Sequence, residues 1–289
     1  MTDITALFCT IDDFFIKFES TYLKFLKQNQ YFKRIRPSKL SLSEIIFIAI
    51  YYKSSQFNNF KAFFFSLKNH QRQWFKYLPC YQRMTHLISM HQLALHALHA
   101  DLMKDKQSDY LWIDSTMLPV CKNQRITRHK SLSEIATRGK SSMGWFFGCK
   151  LHVAMNADGD MISTELSNGH IADIKMVEDL VKGFKATVYA DRGYISQSLK
   201  EKLRLQKIDL VTYHRKNMKV IQLSKTDQHY LKQRNKIETL FGLLKAKYNL
   251  VTSKARSVQG YLAGIYASLC AYQVCHKNKP NIRIIGASA

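Results

Sequence analysis

The stretch LWIDST (residues 111–116) decides how the sequence is interpreted. Its apolar run is typical of a buried β-strand, and it ends in a carboxylate, Asp114, which two hydroxyl residues follow. The stretch VYADRGY (188–194) repeats the arrangement, since β-forming residues lead into Asp191 and a turn glycine. Both segments predict a strand that ends on an aspartate, at the end of the sheet where ligands gather in α/β proteins.

The overall composition makes these acidic residues unusual. The chain has 289 residues, with 44 Lys and Arg against 21 Asp and Glu, and a formal net charge of +23. Such an excess of positive charge is typical of proteins that bind a polyanion, most often nucleic acid. An anionic membrane surface and a merely solvated basic surface are the alternatives. Hydrophobic residues make up 46% of the chain, which is enough for a packed core.

The sequence also indicates a cytoplasmic protein. The opening stretch carries acidic residues where a secretion signal has basic ones. No uncharged stretch reaches the roughly 18 residues of a membrane span. The six cysteines show neither a CxxC pair nor a regular spacing, which favours reduced thiols over a disulfide framework or a zinc site.

A change of character near residue 105 predicts two regions and a short tail. Residues 1–104 contain no glycine and place apolar residues at helical spacing, so we expect an all-α region that binds DNA. A helix starting at Ser43 and the aromatic helix after it form either a helix-turn-helix reader or an ordinary helical hairpin. Residues 105–275 mix strands and helices, and residues 276–289 form the tail.

The second region predicts the order β, ββ, α, β, α, β, α. A hairpin turns at residues 157–160, a later helix is capped by Ser196, and a long last helix begins at Thr226. This order predicts an α/β fold with a mixed sheet flanked by helices. Trp145 and the two phenylalanines after it are expected to pack on that sheet, with stacking on bases as the alternative.

Two basic segments are candidates for contact with DNA. Residues 121–140 lie between the first strand and the hairpin, and YHRKNMK (213–219) follows the last core strand. Long loops in compact domains are usually functional or disordered. We predict phosphate contacts for both, with a solvated loop as the alternative for the second. The predicted DNA-binding residues are Lys122, Arg125, Arg128, Lys130, Arg138, Lys140, Arg215 and Lys216.

The last predicted helix carries a third carboxylate. Arg234, Glu238 and Lys245 share one stripe of that helix, because successive residues are rotated by about 100°. A neighbouring apolar stripe, which includes Ile237 and Phe241, places Glu238 at the margin of the contact with the sheet. Glu238 would there face the strand ends; alternatively, Arg234 and Glu238 form only a surface pair.

Three acidic side chains that meet in one place predict a metal site. Carboxylates that lie together repel one another unless a cation lies between them. Carboxylate oxygens prefer hard cations such as Mg²⁺ or Mn²⁺. The alternative for Asp114 and Asp191 is a pair of ordinary turn or cap residues.

Three segments, YLWIDST, ADRGY and RNKIETLFGLLK (234–245), resemble the acidic signatures of the DDE transposases of bacterial insertion sequences. The resemblance is closest to the insertion sequence 982 family. It extends nearly end to end and includes RITRHKSL, RGKSSMGWFFGCKLH and NADGDMIS. The short separations between the three acidic residues leave no room for a large insertion domain before the glutamate.

The resemblance implies an RNase H-like catalytic domain in residues 105–275. It implies a metal-binding triad, Asp114, Asp191 and Glu238, which holds two Mg²⁺ ions, with Mn²⁺ as a substitute. Arg234 and Lys245 match the R-x3-E-x6-K part of a signature of related transposases and are therefore added to the catalytic residues.

The same resemblance implies the reaction and the partners. The enzyme would cleave DNA at the ends of an insertion sequence and join those ends to target DNA. Its partners would be double-stranded DNA, namely terminal inverted repeats and target, and a second copy of the chain, in the bacterial cytoplasm at the nucleoid. A metal-dependent nuclease without strand transfer and a non-catalytic, transposase-derived DNA-binding protein are the alternatives.

Overall fold

The computed structural model describes residues 3–30, 38–141, 144–213, 222–251 and 254–284. By its contacts the chain divides into two compact units. The helical unit comprises Met1–Leu102 and Leu244–His276, and the sheet unit comprises Met103–Leu243 and Lys277–Ala289. Residues 244–276 thus group with the N-terminal helices, whereas the domain boundaries at 104 and 275 stay a prediction.

The helices and strands of the described residues follow one another along both units. The helices are α1 (Ile4–Gln28), α2 (Leu42–Ser54), α3 (Phe60–His70), α4 (Tyr81–Met90), α5 (Gln92–Met103), α6 (Val177–Leu180), α7 (Gln197–Leu205), α8 (Lys225–Gln233), α9 (Asn235–Ala246) and α10 (Val258–Cys275). The strands are β1 (Tyr110–Cys121), β2 (Thr137–Ser141), β3 (Gly144–Met155), β4 (Met161–Asn168), β5 (Thr187–Ala190) and β6 (Asp209–Thr212).

Helices α2 and α10 form the centre of the helical unit. Both are apolar on nearly all sides, as helices buried in a core are, and they pack on each other, with α1 against α2 and α4 against α10. Helix α2 begins at Ser41, whose hydroxyl accepts from the N–H of Glu44 while the Glu44 carboxylate accepts from the N–H of Ser41. The predicted start at Ser43 was therefore wrong by two residues.

Helix α3 buries Phe63, Phe64 and Leu67 and exposes Lys61 and Lys68. The helix-turn-helix reading of α2 and α3 stays a prediction. Among the described residues, no helix combines the length and the apolar character needed to cross a membrane.

The sheet unit is built on a mixed sheet. Strands β1, β3 and β4 pair antiparallel in the order β4-β3-β1, and β5 and β6 continue the sheet beyond β1 in parallel. Helices α6 and α7 cover one face, and α8 lies against β5 and β6. This arrangement confirms the predicted fold class, an RNase H-like α/β sheet flanked by helices and preceded by an all-α region.

The two faces of the sheet bury different side chains. Leu111 and Ile113 of β1 belong to the core beneath α6 and α7. Trp112, between them in sequence, points to the opposite face, because side chains alternate along a strand. Its indole N–H donates to the carbonyl of Tyr230 in α8 over 2.9 Å, and its ring stacks on that of Tyr189.

Several predicted boundaries differ from the structure. Strand β1 continues past Asp114 to Cys121, because β3 pairs along its whole length. Strand β2 was missed, since its TRGKS sequence has few β-forming residues. The long helix predicted from Thr226 is divided at Arg234 into α8 and α9, and α8 begins after Ser224, whose hydroxyl accepts from the N–H of Asp227. The cap at Ser196 is confirmed.

Candidate active site

The pairing of β1 with β5 brings the two aspartates together. Trp112 lies opposite Tyr189 in this parallel ladder. Asp114 follows Trp112 by two residues in β1, and Asp191 follows Tyr189 by two residues, one residue past the end of β5. The two aspartates therefore come near each other, and the charge of Asp191 acts on Asp114. Asp114 therefore marks the end of the parallel pairing although it lies inside β1. Alternation places both aspartates on the face of Trp112 and Tyr189.

Helix α8 and the start of α9 cover that same face. The hydroxyl of Tyr189 donates to Asp227 over 3.0 Å, and the Trp112 indole is bound by Tyr230 one turn further on. The next turns carry Arg234 and Glu238. Residues 227, 230, 234 and 238 are spaced by three or four and therefore lie on one side of the helix. The contacts that hold the helix on the sheet thus also place Arg234 and Glu238 near the aspartates.

Arg234 joins two of the three carboxylates. Its Nη1 donates to Oδ2 of Asp114 over 2.8 Å, and its Nη2 donates to Oε1 of Glu238 over 2.9 Å. The side chains of Arg234 and Asp114 are 18% and 20% exposed, whereas that of Glu238 is 59% exposed. Burial lowers the pKa of Arg234, but Asp114, Asp191 and Glu238 together raise it above its usual value. The surface-pair reading of Arg234 and Glu238 is therefore incomplete.

The charge of Asp114 is poorly compensated. Burial raises the pKa of Asp114 to about 6, although Arg234 and the backbone N–H of Ser115 both lower it. The carboxylates of Asp191 and Glu238 raise this pKa further. A site with three negative charges and one guanidinium favours an additional cation.

The three carboxylates suit a hard divalent cation in their chemistry. Oxygen ligands of this kind are the ones that Mg²⁺ and Mn²⁺ prefer. Burial, and to a smaller extent the charges of Asp191 and Glu238, already raise the pKa of Asp114. Within the ranges that the structure describes, no three His, Cys, Asp or Glu side chains lie close enough together to hold one metal ion. Asp114 and Glu238 turn toward Arg234 instead. A cation at this site would share the carboxylate oxygens with the guanidinium.

Tyr194 is hydrogen-bonded to residues at or next to both aspartates, and the sequence analysis missed it. Its backbone N–H donates to the carbonyl of Asp191 over 3.0 Å, and its hydroxyl is hydrogen-bonded to the side chain of Ser115. Burial, followed by the carboxylates of Asp114 and Asp173, raises the pKa of Tyr194. Tyr194 therefore links the turn after β5 to the residue that follows Asp114. Its position in the ADRGY segment was the available signal.

The remaining site residues lie elsewhere. Lys245 lies two turns beyond Glu238 on α9, and burial lowers its pKa; its catalytic role stays a prediction. Arg215 and Lys216 lie outside the described residues. Six other predicted DNA-binding residues surround a short 3-10 helix and β2, are exposed, and form no ion pair within the described part of the chain. They are Lys122, Arg125, Arg128, Lys130, Arg138 and Lys140.

The chain is similar to one protein family and to solved transposase structures. The family model described as "Transposase DDE domain" matches residues 104–258. No curated protein matches the sequence. The solved piggyBac transposase synaptic complex with hairpin DNA matches with 12% identity and a TM-score of 0.49, over 83% of this chain and 68% of that chain. The Mos1 transposase paired-end complex with left transposon end matches with 10% identity and a TM-score of 0.22, over 84% and 81%.

The match to the family model spans more than half of the chain and includes Asp114, Asp191, Arg234 and Glu238. The chain therefore belongs to the DDE transposase domain family.

Proposed function

We propose that this protein is a bacterial insertion-sequence transposase of the insertion sequence 982 type, which cleaves DNA at the element's ends and joins them to target DNA. The observation that carries the proposal is the position of Arg234 between Asp114 and Glu238, with Asp191 near enough for its charge to act on Arg234. One cationic group already lies among three carboxylates, at the end of the parallel strands. This arrangement suits a metal-dependent phosphoryl-transfer site.

Asp114, Asp191 and Glu238 would hold the metal, two Mg²⁺ ions or Mn²⁺ in their place. Bound there, such ions supply an activated nucleophile and stabilise the leaving oxygen. The Ser115 N–H fixes one oxygen of Asp114. Arg234 and Lys245 would offset the charge of the scissile phosphate. In cleavage, water attacks phosphorus and the strand's 3′-oxygen leaves as a hydroxyl. In joining, that hydroxyl loses its proton and attacks a phosphodiester of the target, whose own 3′-oxygen leaves and takes up a proton. Neither step requires a covalent protein–DNA intermediate.

The basic surface would hold the DNA. The exposed cations from Lys122 to Lys140, with Arg215 and Lys216, would contact phosphates of the terminal inverted repeats and of target DNA, while residues 1–104 contribute to binding. Two element ends have to be held together, so the working form would be a homodimer, acting in the cytoplasm at the nucleoid.

The test is cleavage of a labelled duplex that carries the element's end, in Mg²⁺, beside a gel shift on the same protein. Asp114→Asn, Asp191→Asn and Glu238→Gln each keep the side chain's size and remove one charge. Each variant should lose cleavage and joining by orders of magnitude while it still binds DNA. The matched control is Glu178→Gln, which removes an exposed carboxylate that pairs with Lys202 over 3.3 Å and should stay active.

Three outcomes would change the assignment. Full cleavage by one variant would remove that residue from the site. Loss of DNA binding in all three would show that they stabilise the fold and do no chemistry. Cleavage by the wild type without any joined product would favour the nuclease that lacks strand transfer.

A further inference from the structure

Trp145 is an aromatic side chain that the proposed chemistry does not use. It is the second residue of β3, and 62% of its surface is exposed, the largest fraction of any aromatic residue in the part of the chain that the structure describes. Its neighbour Phe146 is buried, because alternation along the strand turns it to the other side. The expectation that Trp145 packs on the sheet was wrong, and its exposed ring needs another explanation.

An open cavity of about 450 Å³ lies beside this ring. Its walls combine apolar side chains of β1 with polar residues of the basic segment, and they include Met117, Pro119, Val120, Lys122, Asn123 and Trp145. Cavities of this size accept small organic molecules. A flat, uncharged aromatic group therefore fits the floor of the cavity better than a phosphate does.

Positive charge surrounds the cavity. The Lys140 ammonium lies 5.8 Å from the centroid of the Trp145 ring, and Lys122, directly after β1, lines the cavity. The side-chain amide of Asn123 donates to the carbonyl of Trp145 over 2.8 Å, which ties the basic segment to β3. An apolar floor, an aromatic face and a cationic rim together match a nucleotide, whose base is flat and whose phosphate is negative.

The Trp145 position lies on the face of the sheet that carries Asp114. Val153 pairs with Asp114, and Trp145 lies an even number of residues before Val153 in β3, so all three share one face. At roughly 3.4 Å per residue the ring lies about 27 Å from Asp114 along the strand. About eight nucleotides of a bound strand span that distance.

We propose that Trp145 and this cavity receive one unpaired base of the bound DNA, a role that rests on the proposed function and extends it. A base inside a duplex has neighbours on both faces, so only an extruded or single-stranded base offers a face to an indole ring. Because Asn123 is already bonded to the backbone, the contact is mainly stacking and tolerates any base. The cationic rim then holds the phosphates on either side of that base.

The test uses the full chain, a short single-stranded oligothymidylate and a fully paired duplex of equal length, at one salt concentration. Stacking on a base contributes about 1–3 kcal/mol, so Trp145→Ala should weaken binding of the single strand roughly 5- to 150-fold and leave duplex binding unchanged. The oligothymidylate should quench tryptophan fluorescence of the wild type, and this quenching should disappear in Trp145→Ala. Trp145→Phe keeps an aromatic face and should bind the single strand nearly as well as the wild type.

Leu205→Ala is the control, since Leu205 is an exposed apolar residue of α7 in the same sheet unit, and this variant should bind both DNAs as the wild type does. An equal loss of affinity for single strand and duplex in Trp145→Ala, or no loss for either, would overturn the proposal. A loss in Trp145→Phe as large as that in Trp145→Ala would do the same. Asp114→Asn should retain the quenching, so a failure of this proposal is separable from a failure of the proposed catalytic triad.

Discussion

Arg234 donates a 2.8 Å hydrogen bond to Asp114 from the junction between α8 and α9, across the end of the parallel strands. A cation that binds the three carboxylates must compete with this guanidinium for Asp114. The same bond lowers the pKa of Asp114, which burial raises to about 6. Metal affinity at the proposed site would therefore depend on a residue that is not itself a ligand.

Replacement of Arg234 by Gln should strengthen metal binding while it weakens cleavage. A hydrogen bond to a charged group contributes about 1.5–3 kcal/mol, so removal of the competing donor should lower the Kd for Mn²⁺ about tenfold or more. Titration calorimetry with Mn²⁺ on the full chain measures this. Arg204→Gln, which breaks an exposed pair with Asp209 at 3.3 Å, is the control and should leave the Kd unchanged. Weaker Mn²⁺ binding in Arg234→Gln would show that the guanidinium orients the carboxylates for the metal.

Tyr194→Phe should slow cleavage more than it weakens DNA binding. The substitution keeps the buried ring and removes the hydroxyl bonded to Ser115, so the turn that carries Asp191 loses its link to β1. The loss of one buried hydrogen bond costs about 0.5–1.5 kcal/mol of unfolding free energy. Tyr248→Phe removes a comparable bond of a buried tyrosine, to His276 in the helical unit over 3.0 Å, and provides the control. Equal cleavage rates in both variants would exclude a positioning role for Tyr194.

Neutralisation of the basic segment should reduce the salt dependence of DNA binding. With Lys122, Arg125, Arg128 and Lys130 all replaced by Gln, the slope of log K against log salt should fall by up to about 3.6, since each phosphate contact contributes about 0.9. Gel shifts at several salt concentrations give the slope.

The control for this measurement replaces four exposed cations that lie on α7 or shortly after α6. They are Lys182, Lys185, Lys202 and Arg204. This variant has the same net charge as the first. A steeper slope in the control than in the first variant would therefore show that the basic segment contacts phosphates, and that net charge alone does not set the slope. An unchanged slope in the first variant would show that the basic segment does not touch DNA.

Lys53 should make the stability of the protein depend on pH. Burial lowers the pKa of this lysine to about 7, and its ammonium donates to the carbonyl of Asn249 over 2.8 Å. Between about pH 7 and the usual lysine pKa near 10.4, the unfolded chain holds a proton that the folded chain lacks, so stability rises with pH in this window. Lys53→Met removes this dependence.

The stability gain from Lys53→Met should therefore be roughly 2–3 kcal/mol larger at pH 6 than at pH 9, as measured by urea unfolding. The comparison between two pH values cancels the pH-independent loss of the bond to Asn249. Lys61→Met, at an exposed position of α3, should show the same difference from wild type at both pH values. A pH-independent effect of Lys53→Met would mean that Lys53 stays charged in the folded protein.

The sequence was sufficient for the sheet and the aspartates because both depend on local patterns. An apolar run of β-forming residues marks a buried strand, and the stripe of Arg234 and Glu238 follows from helical periodicity alone. The register between β1 and β5, which brings Asp114 near Asp191, depends on pairing between distant segments and is not visible in either one. The bond from Arg234 to Asp114 depends on the same pairing and on the position of α8.

Other misses have equally local causes. The start of α2 at Ser41 was displaced because two serines compete as caps, and only Ser41 has a glutamate three residues later. The exposure of Trp145 could not be foreseen, because three consecutive aromatic residues, a tryptophan and two phenylalanines, are typical of a buried strand. The grouping of α10 with the N-terminal helices reflects tertiary packing, which an apolar sequence does not specify.

The helical unit is assembled from the first and the next-to-last segments of the chain, since α10 packs on α2 and α4. During synthesis α2 leaves the ribosome long before α10, so the centre of this unit cannot form until all the strands have been synthesised. A product that stops before residue 258 would lack α10 and expose the apolar surface of α2. Messages truncated within this reading frame should therefore yield chains that proteases remove, and not stable fragments that occupy DNA without cutting it.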